Sequence, residues 1–414
     1  MTTPQLTART RVVYDAMVSA RDAGLIHLQA DDEILNGRTV HIDGAPLVNF
    51  VSCSYLGLEL DDRVTDAVAA GARRYGATFS VSRSFISAPR YSVLEDRLAQ
   101  MTGTFPVVVS STTLGHFALL TSVIQPGDVL LLDQQVHASV HMAAQVVASQ
   151  AKVVTVRHNA MDRLEREAVR ALADAATRNV WYFGDGVYSM HGDIAPVPAL
   201  LAMLDRHDRF HVYLDDAHGT STYGLHGRGL VLSAQDALHP RMVVALSLGK
   251  AFGVGSGGVL CFASREWQDV VRTCGMPMIF CAPIAPPILE GCIAAADLHL
   301  SDEYPRMLAE LRERILQLRT RAMAVGLELT SDVWSPVQYI TLGDLPTTLQ
   351  VAHAVRQAGY LVNPCGYPAV ARNHAGIRVT LTRHQTLADI DGLVAALAEA
   401  VAEATTPAMA SSVV

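Results

Sequence analysis

Seven short apolar runs constrain this chain more than any other feature: PVVVS (106–110), VLLLD (129–133), KVVTV (152–156), VWYFG (180–184), HVYLD (211–215), MVVALS (242–247) and GVLCF (258–262). Unbroken apolar runs of this length suit strands buried on both faces, and parallel strands need a crossover of a dozen or more residues between them. Most of the intervals are that long, and one of them, MDRLEREAVRALADAATR, is helical in composition. The pattern predicts an α/β fold with a mostly parallel seven-stranded sheet covered by helices.

The flanks read differently. Residues 11 to 28 predict a helix, and TVHIDGAPLVNF places Asp43-Gly44 between two alternating runs, a hairpin signal. Together they suggest an N-terminal arm over residues 1–58, followed by a large ligand-binding domain over 59–285. Beyond that the order becomes helix first, with PPILEGCIAAADLHL and DEYPRMLAELRERILQLRTRAMAVG, then the strand-like PVQYITLG and GIRVTLT, then a final helix. A smaller C-terminal α+β domain over 286–405 is expected, with a disordered tail at 406–414.

With 414 residues, half of them hydrophobic and 17% charged, the chain can bury a large core. Its net charge of -8 argues against a general nucleic-acid or membrane-surface binder, which needs a basic face. The six cysteines are scattered without C-x-x-C or zinc-like spacing, so no metal site is expected and reduced thiols in the cytoplasm are. No signal core or bilayer-length apolar run is visible.

In an open parallel sheet, ligands bind beyond the carboxyl ends of the strands. Asp215 ends HVYLD and His218 follows it, while His137 lies just past VLLLD and Ser189 past VWYFG. Thr112 and Thr113 come after PVVVS and open a helix; Ser247 and Lys250 follow MVVALS. Taken singly these are ordinary: a lysine in a glycine-rich loop is usually solvated, and a threonine there is often only a helix cap. Converging on one sheet edge, they are what a pyridoxal 5'-phosphate site needs. Such a site takes an amine to join the aldehyde, an acid to hold the pyridine nitrogen protonated, a ring to stack, and hydroxyls and amides at a helix N-terminus for the phosphate. Arg378 is the candidate fork for a substrate carboxylate.

The runs NFVSCSYLGL (49–58), LLDQQVHAS (131–139), GVYSMHGDIAPV (186–197), YLDDAHGTSTYGLHGRG (213–229), SLGKAFGVGSGG (247–258) and GIRVTLT resemble the α-oxoamine synthases, which are fold-type-I pyridoxal phosphate enzymes. The resemblance implies that Lys250 carries the cofactor, Asp215 meets the pyridine nitrogen, His218 the ring hydroxyl, and His137 the ring face. Ser189 and Ser247 would help hold the cofactor, and Arg378 would bind the amino-acid carboxylate. It also implies a homodimer with a shared active site, and decarboxylative Claisen condensation of an α-amino acid with an acyl thioester, on coenzyme A or an acyl carrier protein, to an α-amino ketone.

Departures from the family pattern fall near the cofactor and substrate: Ser111-Thr112-Thr113 at the phosphate helix, Cys53 and Ser54 before Y-L-G-L, Tyr91 for a histidine, and Cys281 and Ala282 for a serine-threonine pair. Cys53 therefore joins Arg378 as a substrate-side candidate, and a specialised biosynthetic pathway is expected. The alternatives are another fold-type-I enzyme, an aminotransferase or retro-aldol lyase, and a noncatalytic partner subunit, which would be expected to lack the lysine.

Overall fold

The computed structural model describes residues 5–405; the expected tail at 406–414 lies outside them. Helix α1 (Ala8–Asp22) begins earlier than the apolar pattern predicts because the Thr7 side chain caps it, accepting from the Thr10 amide at 3.2 Å, and ends earlier, at Ala23 and the left-handed Gly24 (φ 67°). Strands β1 (Thr39–Ile42) and β2 (Ala45–Asn49) form the expected hairpin. Its turn residues Asp43 and Gly44 both have positive φ, 55° and 76°, as a two-residue hairpin turn requires.

Helices α2 (Asp62–Tyr75) and α3 (Tyr91–Thr102) precede an alternation of strands and helices. This runs β3 (Phe105–Val109), α4 (Thr112–Val123), β4 (Val129–Asp133), α5 (Ala138–Val146), β5 (Lys152–Val156), α6 (Met161–Leu172), β6 (Val180–Asp185), α7 (Val197–Arg206), β7 (Phe210–Asp215), α8 (Leu230–Ser233), β8 (Met242–Ser247) and β9 (Gly258–Phe262). Helices α9 (Arg265–Cys274), α10 (Met276–Phe280), α11 (Pro286–Leu300) and α12 (Tyr304–Ala324) follow, then β10 (Val337–Gly343), α13 (Leu345–Gln357), β11 (Tyr360–Leu361), β12 (Asn363–Cys365), β13 (Ala375–Thr380) and α14 (Leu387–Thr405).

All seven apolar runs are strands of one sheet, in the order β3-β9-β8-β7-β6-β4-β5. From β8 through β7, β6 and β4 to β5 the pairing is parallel. Strand β9 runs antiparallel to both of its neighbours, because only the loop 248–257 separates it from β8 and no crossover helix intervenes. Strands β4, β6 and β8 are buried at every residue, which is why they lack polar alternation.

By its contacts the chain gathers into two units, dividing within α12: Leu56–Ser189 with Asp193–Leu308, and Met1–Tyr55 with Met190–Gly192 and Ala309–Val414. The larger holds the seven-stranded sheet and α11. The smaller holds two three-stranded sheets, β1-β2-β11 and β10-β13-β12. In it the N-terminal hairpin is joined to the C-terminal segment by parallel pairing of β2 with β11.

Candidate active site

The carboxyl ends of the parallel strands in the larger unit carry its concentration of buried charge. Asp215, the last residue of β7, stands opposite Asp185, the last residue of β6, and both are buried. Two adjacent buried carboxyls cannot both ionise cheaply. Burial drives Asp185 well above the usual carboxylate range, and the charge of Asp215 drives it further, so it holds a proton while accepting a hydrogen bond at 3.0 Å from the His137 backbone amide. For Asp215 burial acts the same way, but His116, Lys250 and His137 outweigh it and hold the group below its ordinary value, so it is ionised. His116 Nε2 lies 3.2 Å from Asp215 Oδ2, a close polar contact without good hydrogen-bond alignment, and the Ala217 amide donates to Oδ1 at 3.1 Å.

Lys250 is half-buried in the loop after β8, its Nζ 3.0 Å from Nε2 of the buried His218. Gly258, which closes that loop, could carry no side chain: a Cβ there would stand 2.6 Å from the Thr112 amide nitrogen. Strand β9 is thereby brought against the start of α4. There Ser111 accepts from the Leu114 amide at 3.1 Å and Thr112 and Thr113 form the first turn, so the site has a helix N-terminus with hydroxyls, suited to a phosphate. Ser247 is buried, and its amide donates to Thr220 Oγ1 at 3.1 Å.

His137 caps α5, with its Nδ1 2.6 Å from Ser139 Oγ. It is an exposed residue, yet burial around its ring draws its pKa down, against the pull of Asp215. An exposed, uncharged ring beside an ionised carboxylate is what a flat, cationic heteroaromatic group would cover. With Lys250, Asp215 and the start of α4, it makes a residue set that fits pyridoxal phosphate.

Ser189 is half-buried in the loop after β6. Four residues on, Asp193 is tied to strand β4 through His158, whose ring nitrogens lie 2.8 Å from Asp133 Oδ1 and 2.7 Å from Asp193 Oδ2. Burial works against a charge on His158, but the two carboxylates overcome it and raise its pKa to about 9. Tyr91, at the start of α3, is buried, accepts from the Ile284 amide at 2.7 Å, and has the Arg83 guanidinium 3.8 Å over its ring. Ala282 engages the strand end beside α4 through its carbonyl, which accepts from Ser110 Oγ at 2.6 Å.

Within the larger unit, then, the structure brings Lys250, His218, Asp215 and His137 together, with Thr112, Thr113 and Ser247 at neighbouring strand and helix ends. Arg378 and Cys53 belong to the smaller unit. There Arg378 is buried on β13, and its Nη2 contacts Cys53 Sγ at 3.8 Å.

Two residues of the buried cluster, His116 and Asp185, escaped the reading of the sequence. His116 lies in the apolar stretch TTLGHFALL, where a lone histidine reads as a core residue. The usable signal was its place four residues after Thr112, one turn into the phosphate-site helix. Asp185 had a plainer signal, as the charged residue that follows VWYFG.

A family model described as aminotransferase class I and II matches residues 45–397. Among curated proteins the chain is similar to the 8-amino-7-oxononanoate synthase of Maricaulis maris strain MCS10, 34% identical over 366 residues, covering 88% of this chain and 89% of that one. It is also similar to the 8-amino-7-oxononanoate synthase of Dechloromonas aromatica strain RCB, 31% identical over 382 residues, covering 91% and 96%. Among solved structures, a serine palmitoyltransferase from S. paucimobilis with bound PLP-myriocin aldimine superposes with TM-score 0.87 at 21% identity, covering 97% of this chain and 99% of that one. At this identity the likeness speaks for the fold.

Proposed function

The chain belongs to the α-oxoamine synthases within the class I and II aminotransferase family, and on that premise we propose that it condenses an α-amino acid with an acyl thioester, with loss of carbon dioxide, to give an α-amino ketone. The observation that carries the reading is the pairing of Lys250 Nζ with His218 at 3.0 Å beside an Asp215 kept ionised inside the protein. Pyridoxal phosphate is the cofactor; when bound, it supplies a carbonyl carbon that captures amines and a ring that withdraws electrons from the amino acid's Cα.

The chain's own residues do the rest. Lys250 anchors the cofactor, then with its freed Nζ removes the Cα proton and later returns one to the same carbon. His218 holds that amine in place. Asp215 keeps a proton on the pyridine nitrogen, and His137 covers the ring face and excludes water from it. Thr112 and Thr113 hold the phosphate at the start of α4, with Ser189 and Ser247 as further cofactor contacts. Arg378 binds the substrate carboxylate, and Cys53, in contact with it, shapes the space for the amino-acid side chain. Loss of carbon dioxide from the condensed β-keto acid makes the sequence irreversible.

The acyl group arrives as a coenzyme A or carrier-protein thioester, and the active unit is a homodimer that shares its active sites. The exposed Phe85 and Phe280 support that assembly, being 86% and 73% accessible. They lie on segments joined by a hydrogen bond at 2.6 Å from Ser82 Oγ to the Ile279 carbonyl. No described helix is long and apolar enough to cross a membrane; a cytoplasmic setting is part of this reading and rests on the scattered thiols. Departures from the family pattern at Cys53, Tyr91, Cys281 and Ala282 favour a product of a specialised pathway.

The test is borohydride reduction of the cofactor-loaded protein, followed by peptide mass spectrometry, alongside incubation with panels of amino acids and acyl thioesters. A pyridoxyl group on Lys250 and amino-acid-dependent release of thiol and carbon dioxide are expected. Lys250→Ala should fold, take up no covalent cofactor and form no ketone. Amino-group exchange without thiol release would point instead to an aminotransferase.

A further inference from the structure

We infer that His116 is a positioning residue for the proposed reaction, holding Asp215 fixed and ionised so that its carboxylate keeps a proton on the cofactor's pyridine nitrogen; the inference rests on the functional reading above. His116 is fully buried one turn into α4. Its Nε2 faces Asp215 Oδ2 at 3.2 Å and its Nδ1 pairs with the Tyr213 hydroxyl. Burial keeps Tyr213 a neutral phenol, since it pushes the hydroxyl's pKa well above the ordinary value. With that hydroxyl donating to Nδ1, a neutral His116 carries its own proton on Nε2, facing the carboxylate. Tyr213, His116 and Asp215 thus form a relay in which the partner at one end fixes the tautomer presented at the other.

Other groups face Asp215 as well. Asp185 from β6 and Asp216 next in the chain are acids that disfavour its charge or share its burial, while His137 before α5 and Lys250 after β8 favour it. Lys250 gives up part of its charge whenever its amine acts as nucleophile or base, and His137 sits on an exposed turn. His116 alone of the favourable partners lies in a helix interior, with its ring locked by a second contact. It therefore supplies the part of the field that stays constant through the reaction.

The test uses full-length, cofactor-loaded protein with His116→Leu, His116→Gln and Tyr213→Phe. Asp215 must be ionised to act, so losing His116 raises its pKa and moves the acid limb of the kcat profile to higher pH. For His116→Leu we expect a shift of about one unit or more, and hence a roughly tenfold or larger fall in kcat at pH values on the acid limb, with little change near neutrality. KM should change little, Lys250 should still be labelled by borohydride, and the visible band of the bound cofactor should titrate at a higher pH. His116→Gln retains an amide N–H and should recover most of the shift, with Tyr213→Phe intermediate. A wild-type acid limb and cofactor titration in folded His116→Leu would overturn the inference. So would equal defects in the leucine and glutamine variants that track only a lowered melting temperature. If the unmodified protein takes no pyridoxyl group on Lys250, the cofactor reading itself has failed.

Discussion

Two successive aspartates in the LDDAHG stretch have opposite electrostatic fates, decided by what each carboxyl meets. Asp215 finds two histidines and a lysine and stays charged. Asp216 accepts from the Val231 amide at 3.0 Å through Oδ2, while its Oδ1 has no partner among the described residues. Burial foremost, with the neighbouring charge of Asp215, raises its pKa to about 8. A carboxyl whose folded pKa lies above its unfolded value of 3.8 contributes its full stability only below that value, and loses it as the pH rises through about 8. Asp216→Asn, which cannot ionise, should therefore unfold with much less pH dependence between about pH 4 and 8. Between pH 4 and pH 9 its stability relative to the parent should rise by several kcal/mol, about 6 at most from a gap of about four units, read from urea unfolding at a series of pH values. A parent whose stability holds level across that range would show Asp216 to be an ordinary ionised carboxylate. Position at the strand end marked Asp215 as a site residue and left Asp216 unremarked; their three-dimensional neighbours separate the charged one from the neutral one.

Most of the strands were legible because burial on both faces leaves its mark in their runs, though β5 at the sheet edge is only partly buried, and the hairpin because Asp43-Gly44 suits a turn with two positive φ angles. The reversed direction of β9 is not written in GVLCF itself, whose pattern is the same either way; the shortness of the loop before it decides. The strands β11 and β12 have two and three residues and leave no periodicity to read. Less visible still was the tie between elements made by His158, since its two aspartates lie 25 and 35 residues away in sequence. As an imidazolium between them it joins the end of β4 to the loop carrying Ser189. Its pKa of about 9 against 6.5 unfolded means that its contribution is full below 6.5 and lost as the pH rises through 9. The gap corresponds to about 3 kcal/mol. His158→Leu should be destabilised by about that amount or more at pH 6, since it leaves two carboxylates unpaired, and the deficit should narrow above pH 9. Equal deficits at pH 6 and 10 in chemical denaturation would assign the loss to packing alone.

At the scale of the whole molecule, the larger unit leaves apolar side chains in water that a lone protomer has no use for. Phe85 and Phe280 are 86% and 73% accessible, and Ile86 and Met276 are exposed beside them in sequence. The hydrogen bond from Ser82 to Ile279 holds the two segments that bear them together, so they act as one surface. Burying one phenylalanine against a partner contributes about 2–3 kcal/mol, which converts to roughly a 30- to 150-fold change in dissociation constant. On the homodimer reading, Phe280→Asp should weaken self-association by at least that factor, measured by sedimentation over a dilution series, because it also buries an unpaired charge. If the active sites are shared, specific activity should fall with dilution along the same curve as the dimer fraction, and the variant should be least active where it is monomeric. Cofactor titration follows the same logic, since Ala282, two residues after Phe280, contacts Ser110 at the strand end that precedes the phosphate helix. Loosening that segment should weaken cofactor retention as well as turnover. A Phe280→Asp protein that is monomeric yet keeps full activity and cofactor affinity would show that each protomer completes its own site.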